Sequence, residues 1–402
     1  VTSPDLESVV NLFQDTMWLP DPGIIYAVLG VAAANRLPGD ATWLLIPGPP
    51  SSGKTEVLDS LSLLPEYHVL STFTEAGLLS GSAARVGTGP TGGLLRQIGD
   101  RGLIVAPDFG TLLNEHASTR NRMFALLREV FDGKLTRYLG TGGGQSFAWI
   151  GRVGFLGAVT EAIDSPNIDL GLLGERFVYY RIPKDTPEDD LMACRVADRN
   201  AGRQPEIRRG RSEAVRNLFA GLHFPDLLPP LSDSEMNRLV TLASLGSRGR
   251  SSVVRDGRNR DIELVPGHER SPRLYGQLRQ LYVGLAVIGT TDDVLWGVLA
   301  KAALDGMHPG RRAILDYLVG STTPHATETI AARCRLTSTP TRRHLQDMFA
   351  HGVLDLVGSA PERWQVSEWT RGMWWAVTGL VAEERELGSF ELLVRTLDAS
   401  AP

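Results

Sequence analysis

Short apolar runs alternate with amphipathic stretches through the first half of the chain. Residues 6–18 and 24–35 carry apolar side chains at helical spacing, separated by Leu19-Pro20-Asp21-Pro22-Gly23, a segment that breaks a helix. The second stretch is rich in alanine and other small apolar residues, which predicts a buried helix. Continuous apolar runs at 42–46, 67–70, 102–106, 152–160 and 177–182 read as buried strands. Glu56-Val57-Leu58-Asp59-Ser60-Leu61 and residues 122–131 read as helices between them. That alternation predicts an α/β fold, a mostly parallel sheet covered by helices, with ligands at the carboxyl ends of the strands. Glycine-rich stretches at 81–93 and 140–144 read as functional loops.

From 186 to 285 the pattern turns helical and arginine-rich. Arg199, Arg203, Arg208, Arg209, Arg211 and Arg216 form one cluster, and Arg248, Arg250, Arg255, Arg258 and Arg260 another. Each reads either as a solvated face or as a contact surface. Further on, residues 309–319, 326–334 and 338–351 predict three helices, the third with Thr339 as N-cap, Pro340 as its first helical residue and Gly352 as C-cap. Val353-Leu354-Asp355-Leu356-Val357, a turn at Gly358-Ser359-Ala360-Pro361, and Arg363-Trp364-Gln365-Val366 then predict a hairpin. Three helices followed by two strands is the winged-helix order. Thr341, Arg342, Arg343 and Gln346 would project from its recognition helix towards phosphates and base edges. The alternative is a winged helix used for protein contacts or packing. A last amphipathic helix, 367–387, carries Trp369, Trp374 and Trp375 and is expected to pack on the body or on a partner.

Composition narrows the classes. The 402 residues are 42% hydrophobic and 22% charged, as in globular proteins, with a net charge of −5, so any nucleic-acid contact must come from local patches. Two distant cysteines, Cys194 and Cys334, predict a reduced, cytoplasmic protein with buried thiols. No apolar run is long enough to span a bilayer, and Val1-Thr2-Ser3-Pro4-Asp5 does not resemble a signal peptide, so no membrane partner is expected.

The most specific motif is Gly48-Pro49-Pro50-Ser51-Ser52-Gly53-Lys54-Thr55, which fills every fixed position of the phosphate-binding loop G-x-x-x-x-G-K-[ST]. A predicted strand precedes it and a predicted helix, starting near Glu56, follows. That arrangement aims backbone N–H groups and the positive end of a helix dipole at one point. It implies a nucleoside triphosphate, ATP, with Lys54 at the β/γ-phosphates and the Thr55 hydroxyl on Mg²⁺. The acid that completes the metal's shell is expected at the end of a neighbouring strand, and Leu103-Ile104-Val105-Ala106-Pro107-Asp108 supplies Asp108. A loop-capping role is the alternative for it. Many ATPases place a glutamate next to polarise the attacking water, but this chain has Phe109. Either Glu115 or Glu129 does that work from elsewhere, or hydrolysis is slow. There is no H-E-x-x-H, no Cys/His cluster and no nucleophile elbow.

These residues resemble the AAA+ ATPases over residues 20–288, and above all a prokaryotic and phage group of ATP-binding proteins that share an L-R-E-x-[FY]-D-G stretch, here Leu127-Arg128-Glu129-Val130-Phe131-Asp132-Gly133. The resemblance reaches towards bacterial enhancer-binding activators and MCM-type helicases. It implies that Thr160, ending Gly154-Phe155-Leu156-Gly157-Ala158-Val159-Thr160, senses the γ-phosphate. It implies an arginine finger acting on a neighbouring subunit's nucleotide near Gly174-Glu175-Arg176-Phe177-Val178-Tyr179-Tyr180-Arg181, with Arg176 the first choice and Arg181 the second. It also implies a sensor arginine heading a lid helix at Ser271-Pro272-Arg273-Leu274, namely Arg273. An ordinary surface ion pair is the alternative for each arginine.

The expected organisation is an N-terminal helical segment (1–40), a P-loop AAA+ core (41–184), a helical lid with the arginine-rich segments (185–305), an α+β winged helix (306–366) and a C-terminal helix and tail (367–402). The expected function is an ATPase forming a ring or open-ring homo-oligomer, a motor or remodeller acting on DNA, with a replication or regulatory protein as a further candidate partner. Closing and opening of the subunit interface would move the 140–144 region and the basic segments. The alternative is a nucleotide-gated DNA-binding regulator or scaffold with slow or no hydrolysis. A kinase using the same loop would leave the lid and the winged helix unexplained.

Overall fold

The computed structural model describes residues 5–79, 93–138, 146–165, 175–184, 186–258, 260–359 and 362–378. In chain order, the first half comprises α1 (Leu6–Thr16), α2 (Gly23–Arg36), β1 (Trp43–Pro47), α3 (Lys54–Asp59), β2 (Tyr67–Val69), α4 (Glu75–Leu79), α5 (Leu94–Ile98), β3 (Arg101–Ala106), α6 (Gly110–Leu113), α7 (Ala117–Phe131), β4 (Lys134–Tyr138), β5 (Ser146–Ile150), β6 (Arg152–Val159), a 3₁₀ turn (Glu161–Asp164) and β7 (Val178–Tyr179). Five strands form one parallel sheet in the order β2-β3-β6-β1-β7, while β4 and β5 form a separate antiparallel hairpin. The expected 140–144 region lies outside the described residues, as does most of 81–93.

Both faces of the sheet are covered, which is why its central strands read as unbroken apolar runs. Along β1, Leu44 and Ile46 enter one core with α2, whereas Trp43 and Leu45 enter the other. In that second core Trp43, Phe109, Phe155 and Phe177 pack with ring centroids 5.1–5.9 Å apart. The run at 67–70 departs from expectation. It is a three-residue edge strand with Val69 exposed, because only β3 pairs with it.

Polar groups tie α2 to the sheet. The Arg152 guanidinium donates to Ala34 O, Asn35 O, Leu37 O and Asp40 O, satisfying carbonyls that the helix end leaves without partners. Asn35 donates to Gly102 O and accepts from Gly154 N, bridging β3 and β6.

The second half comprises α8 (Pro187–Arg199), α9 (Gln204–Gly221), α10 (Asp233–Arg250), β8 (Val254–Arg255), β9 (Ile262–Leu264), α11 (Pro272–Val287), α12 (Asp292–Leu304), α13 (Pro309–Val319), β10 (His325–Ala326), α14 (Thr327–Arg333), α15 (Ser338–Ala350), β11 (Leu354–Ser359), β12 (Glu362–Val366) and α16 (Glu368–Thr378). Helices α8 and α10 open on capping boxes, Thr186 with Asp189 and Ser232 with Glu235. Helix α11 crosses α2 at paired glycines. A Cβ on Gly284 would lie 2.2 Å from Gly30 O, so the two backbones touch there.

Residues 309–366 contain three helices and a three-stranded antiparallel sheet, β10-β12-β11. Thr337, rather than Thr339, is the N-cap of α15, so Pro340 is its third residue. Helix α16 follows, with Arg248 of α10 over the Trp369 ring at 4.3 Å; the expected continuation past 378 lies outside the described residues. Of the cysteines, Cys194 is exposed rather than buried, on the outer side of α8, and Cys334 is half-buried.

Two buried ionic clusters join these layers. Arg250 at the end of α10 pairs with Glu269 (2.7 Å) and Glu175 (3.4 Å) and donates to Phe177 O, just before β7. Asp347 in α15 takes Arg311 of α13 on one oxygen (2.7 Å) and Arg255 of β8 on the other. Beside them the imidazoles of His308 and His344 stack at 4.6 Å. Burial, His308, Arg311 and Arg255 push His344 down to about 3, and burial lowers His308 as well. His308 Nδ1 accepts the Gly310 N–H, a cap that needs an unprotonated nitrogen. The unfolded chain binds these protons more readily, so the contribution of His344 is complete above its ordinary pKa of 6.5 and is lost as pH falls towards about 3. Melting temperatures at pH 7 and pH 4 should therefore differ less in His344→Phe than in the parent chain. Equal pH dependence would remove His344 from that role.

Candidate nucleotide site

Strand β1 delivers the chain into the loop at 48–55, and α3 leads it away. Two left-handed residues shape the turn, Gly53 at φ 82° and Ser51 at φ 64°. Close packing from behind is the second constraint. A Cβ at Gly53 would lie 2.3 Å from Met17 Cε, and one at Gly48 would lie 2.8 Å from Ile182 Cβ. Glycine at Gly53 thus follows from its positive φ, since the Met17 side-chain end can move aside, and glycine at Gly48 from the residues after β7. Lys54 is nearly buried, its ammonium donating to Gly48 O (2.9 Å), Pro49 O (2.5 Å) and Ser52 Oγ (3.1 Å). An incoming phosphate has to exchange for these neutral acceptors, a trade that favours the anion.

A cleft of about 520 Å³ opens above the loop. Residues 50–56 form one side, and Pro107, Asp108, Ala158, Val159 and Thr160 form the other. Asp108 follows β3 and Thr160 follows β6, where β6 lies beside β1 and β3 beside β6, so three separate segments of sequence meet at the carboxyl edge of the sheet. The volume is within the range of about 300–1,000 Å³ typical of small-molecule sites. Asp108 lines the cleft and also caps its own turn, with Oδ1 accepting the Gly110 N–H at 2.9 Å. Thr55 and Asp108 face the same cleft, a donor pair suited to Mg²⁺ that keeps waters and phosphate oxygens in its shell. Among the described residues, no three acid, histidine or cysteine side chains come together as a metal site of their own.

The remaining candidates fall elsewhere. Phe109 is fully buried among Phe73, Phe155 and Phe177. Glu115 is exposed beyond α6, Glu129 is held by Arg137 at 2.8 Å, and neither lines the cleft. Arg176 is 10% exposed at its side chain, forked onto both oxygens of Asp132 (3.0 and 3.1 Å) and placed over the Phe131 ring. Arg181 forks onto Asp164 (2.8 Å to each oxygen) and donates from Nε to Asp305 O. Both arginines are engaged within their own chain. Arg273 heads α11 as expected, 4.0 Å from Glu269. Glu269 in turn pairs with Arg250, which donates to Phe177 O before β7, and Arg273 is not among the residues lining the cleft.

The cationic surroundings of the cleft come instead from α9. Glu56, in the cleft wall, accepts from Arg208 (2.6 and 2.9 Å) and from Arg211 (3.2 Å). Arg211 is fixed by Thr16 Oγ1 and lies over Phe13, and burial holds its guanidinium below the usual value against the pull of Glu56. Arg208 is 58% exposed at its side chain. The arginine cluster was visible in the sequence; its partner, 152 residues earlier, was not.

On the three-helix region the expected contacts divide. Thr341 is 0% exposed, with its hydroxyl donating to Thr337 O, so it belongs to the core and not to a contact surface. Gln346 is half-buried and accepts from Arg255. Arg342 is exposed and paired with Glu362 at 2.9 Å, and Arg343 is half-buried. Among the described residues no helix is long and apolar enough to cross a membrane.

No family model matches the sequence, and no curated protein is similar to it. Among solved structures it is similar to a Cytophaga hutchinsonii protein described as a candidate ATPase, 13% identical, covering 75% of this chain and 86% of that one at a TM-score of 0.45. It is also similar to the apo C-terminal region of NrS-1, 13% identical, covering 91% of this chain and 77% of that one at a TM-score of 0.30. Scores this low carry no weight for function, and the nucleotide reading rests on the cleft.

Proposed function

We propose that this chain is an AAA+ ATPase that binds MgATP in the cleft and uses it to drive an oligomeric motor or remodeller acting on DNA. The observation that carries the nucleotide part is the meeting of the phosphate loop, Asp108 and Thr160 around one cleft of suitable size. Lys54 and the loop N–H groups hold the phosphates, Thr55 and Asp108 hold the Mg²⁺, and Thr160 hydrogen-bonds the γ-phosphate. Mg²⁺ held by Thr55 and Asp108 would supply screening of phosphate charge, and Lys54, the loop N–H groups and Thr160 would orient the phosphates for attack by water.

The oligomeric part draws on Arg176, which completes a neighbour's site once Asp132 releases it. The DNA part draws on the order of helices and strands over 309–366, read as a winged helix, and on Arg342 and Arg343. A second reading, a nucleotide-gated regulator or scaffold with little turnover, is favoured by one specific observation. Phe109 is buried, and neither Glu115 nor Glu129 lines the cleft to polarise a water.

The deciding experiment measures steady-state phosphate release with and without single- and double-stranded DNA, alongside mass in ATP. DNA-stimulated turnover by an oligomer establishes the motor. ATP-dependent assembly without turnover establishes the switch, and neither turnover nor assembly removes both.

A further inference from the structure

The second arginine cluster does not act as one unit. Arg250 is 1% exposed at its side chain and committed to Glu175 and Glu269, and Arg248 covers Trp369. Arg255 is also spent internally, but on a junction. One nitrogen donates to Arg260 O (2.9 Å) and to Gln346 Oε1 (3.3 Å). The other donates to Arg343 O (3.1 Å) and to Asp347. A single guanidinium thus holds the tip of the β8–β9 hairpin against α15 and brings the backbones of Arg260 and Arg343 to the same place.

Arg258 and Arg260 are exposed at that tip, and Arg342 and Arg343 stand beside it on α15. Among the described residues none of the Arg258, Arg260 and Arg343 side chains is paired with a carboxylate. The nearby acids are largely committed. Asp347 serves Arg255 and Arg311, and Asp256 accepts the Arg258 N–H to hold the turn, with Asp261 at its far side. Glu362 holds Arg342 in an exposed pair, which is worth little and yields readily to a phosphate.

We propose that the hairpin tip and α15 form one composite surface for the phosphate backbone of a nucleic acid, with Arg258 and Arg260 as contacts from outside the three-helix region and Arg255 as the positioning residue. This rests on the nucleic-acid reading above and adds to it a second contacting element. Guanidinium groups fit phosphate oxygens in forked geometry, and four on adjoining elements can follow a backbone.

The test uses the full chain and fluorescein-labelled single- and double-stranded oligonucleotides, with anisotropy read across a salt series. Arg258→Ala with Arg260→Ala should weaken binding about tenfold and reduce the salt slope by about one to two, as should Arg342→Ala with Arg343→Ala. The preferred oligonucleotide tells which backbone form is held. Arg258, Arg260 and Arg342 are exposed and Arg343 is half-buried, so an unchanged melting temperature is needed to separate lost contact from lost folding. If the α15 pair weakens binding and the hairpin pair leaves it untouched, the composite surface is wrong while the nucleic-acid reading survives. If the parent chain binds neither oligonucleotide, both fall.

Discussion

Alanine in place of Lys54 should weaken ATP binding by about 100-fold or more, about 2.7 kcal/mol, the worth of charge-assisted bonds to phosphate oxygens. The reason is local. Lys54 is the cation of the loop, and three of its present acceptors, Gly48 O, Pro49 O and Ser52 Oγ, are neutral groups that an anion outcompetes. Titration of a fluorescent ATP analogue reads the effect, and unchanged affinity would place the nucleotide elsewhere. The lysine also ties its own loop, so the variant's melting temperature should be followed, with a retained value assigning the loss to binding. Arg208→Ala is the matched control. It removes an exposed cation that pairs with the cleft wall but leaves Glu56 paired with Arg211, so its loss should stay within about tenfold.

The largest expected effect on stability belongs to Arg250. Replacing it with methionine keeps the volume and removes the charge, leaving Glu175 and Glu269 without their shared cation. Breaking a buried pair from one side costs about 3–5 kcal/mol. Burial already raises the Glu175 carboxyl, and Arg250 is the first group that opposes that rise. A chain with several layers need not unfold in one step, so the quantity to read is the first thermal transition. It should fall by several degrees, and adding Glu175→Gln and Glu269→Gln should recover much of the loss. A transition that does not move would show that the cluster carries no net stability.

Parts of the molecule whose chemistry is contiguous in sequence were legible there. The phosphate loop, Asp108 at the end of one apolar run and Thr160 at the end of another all come together at one cleft, because parallel strands covered on both faces must end at the same edge. Helix positions across 309–351 were legible because periodicity acts within a few residues, although the cap of α15 is Thr337 and not Thr339. The fate of each arginine was not. Arg176 depends on Asp132, Arg181 on Asp164 and Asp305, Arg208 on Glu56 and Arg255 on Asp347. Those partners are 17 to 152 residues away, and charge alone does not say whether a guanidinium faces solvent, a carboxylate or a neighbour. Thr341 fails differently. Its position at the start of α15 fits an outward face, yet its hydroxyl turns back to Thr337 O, so its methyl and backbone are covered.

The glycine crossing of α2 and α11 bears on how the cleft can move. Between α2 and α11, two backbones in direct contact leave no gap in which one helix could slide on the other. Helix α9 is fastened to α3 through Glu56, Arg208 and Arg211, charged groups that are partly open to solvent. Dissolved ions shorten the reach of such charges to about 8 Å at physiological strength and to about 3 Å at 1 M, and leave a van der Waals contact unaffected. The α2–α11 crossing is therefore insensitive to electrolyte, whereas the ionic link between α9 and the cleft wall softens as electrolyte rises. Any opening of the cleft should lie on the α9 side, by an amount set by the ionic medium.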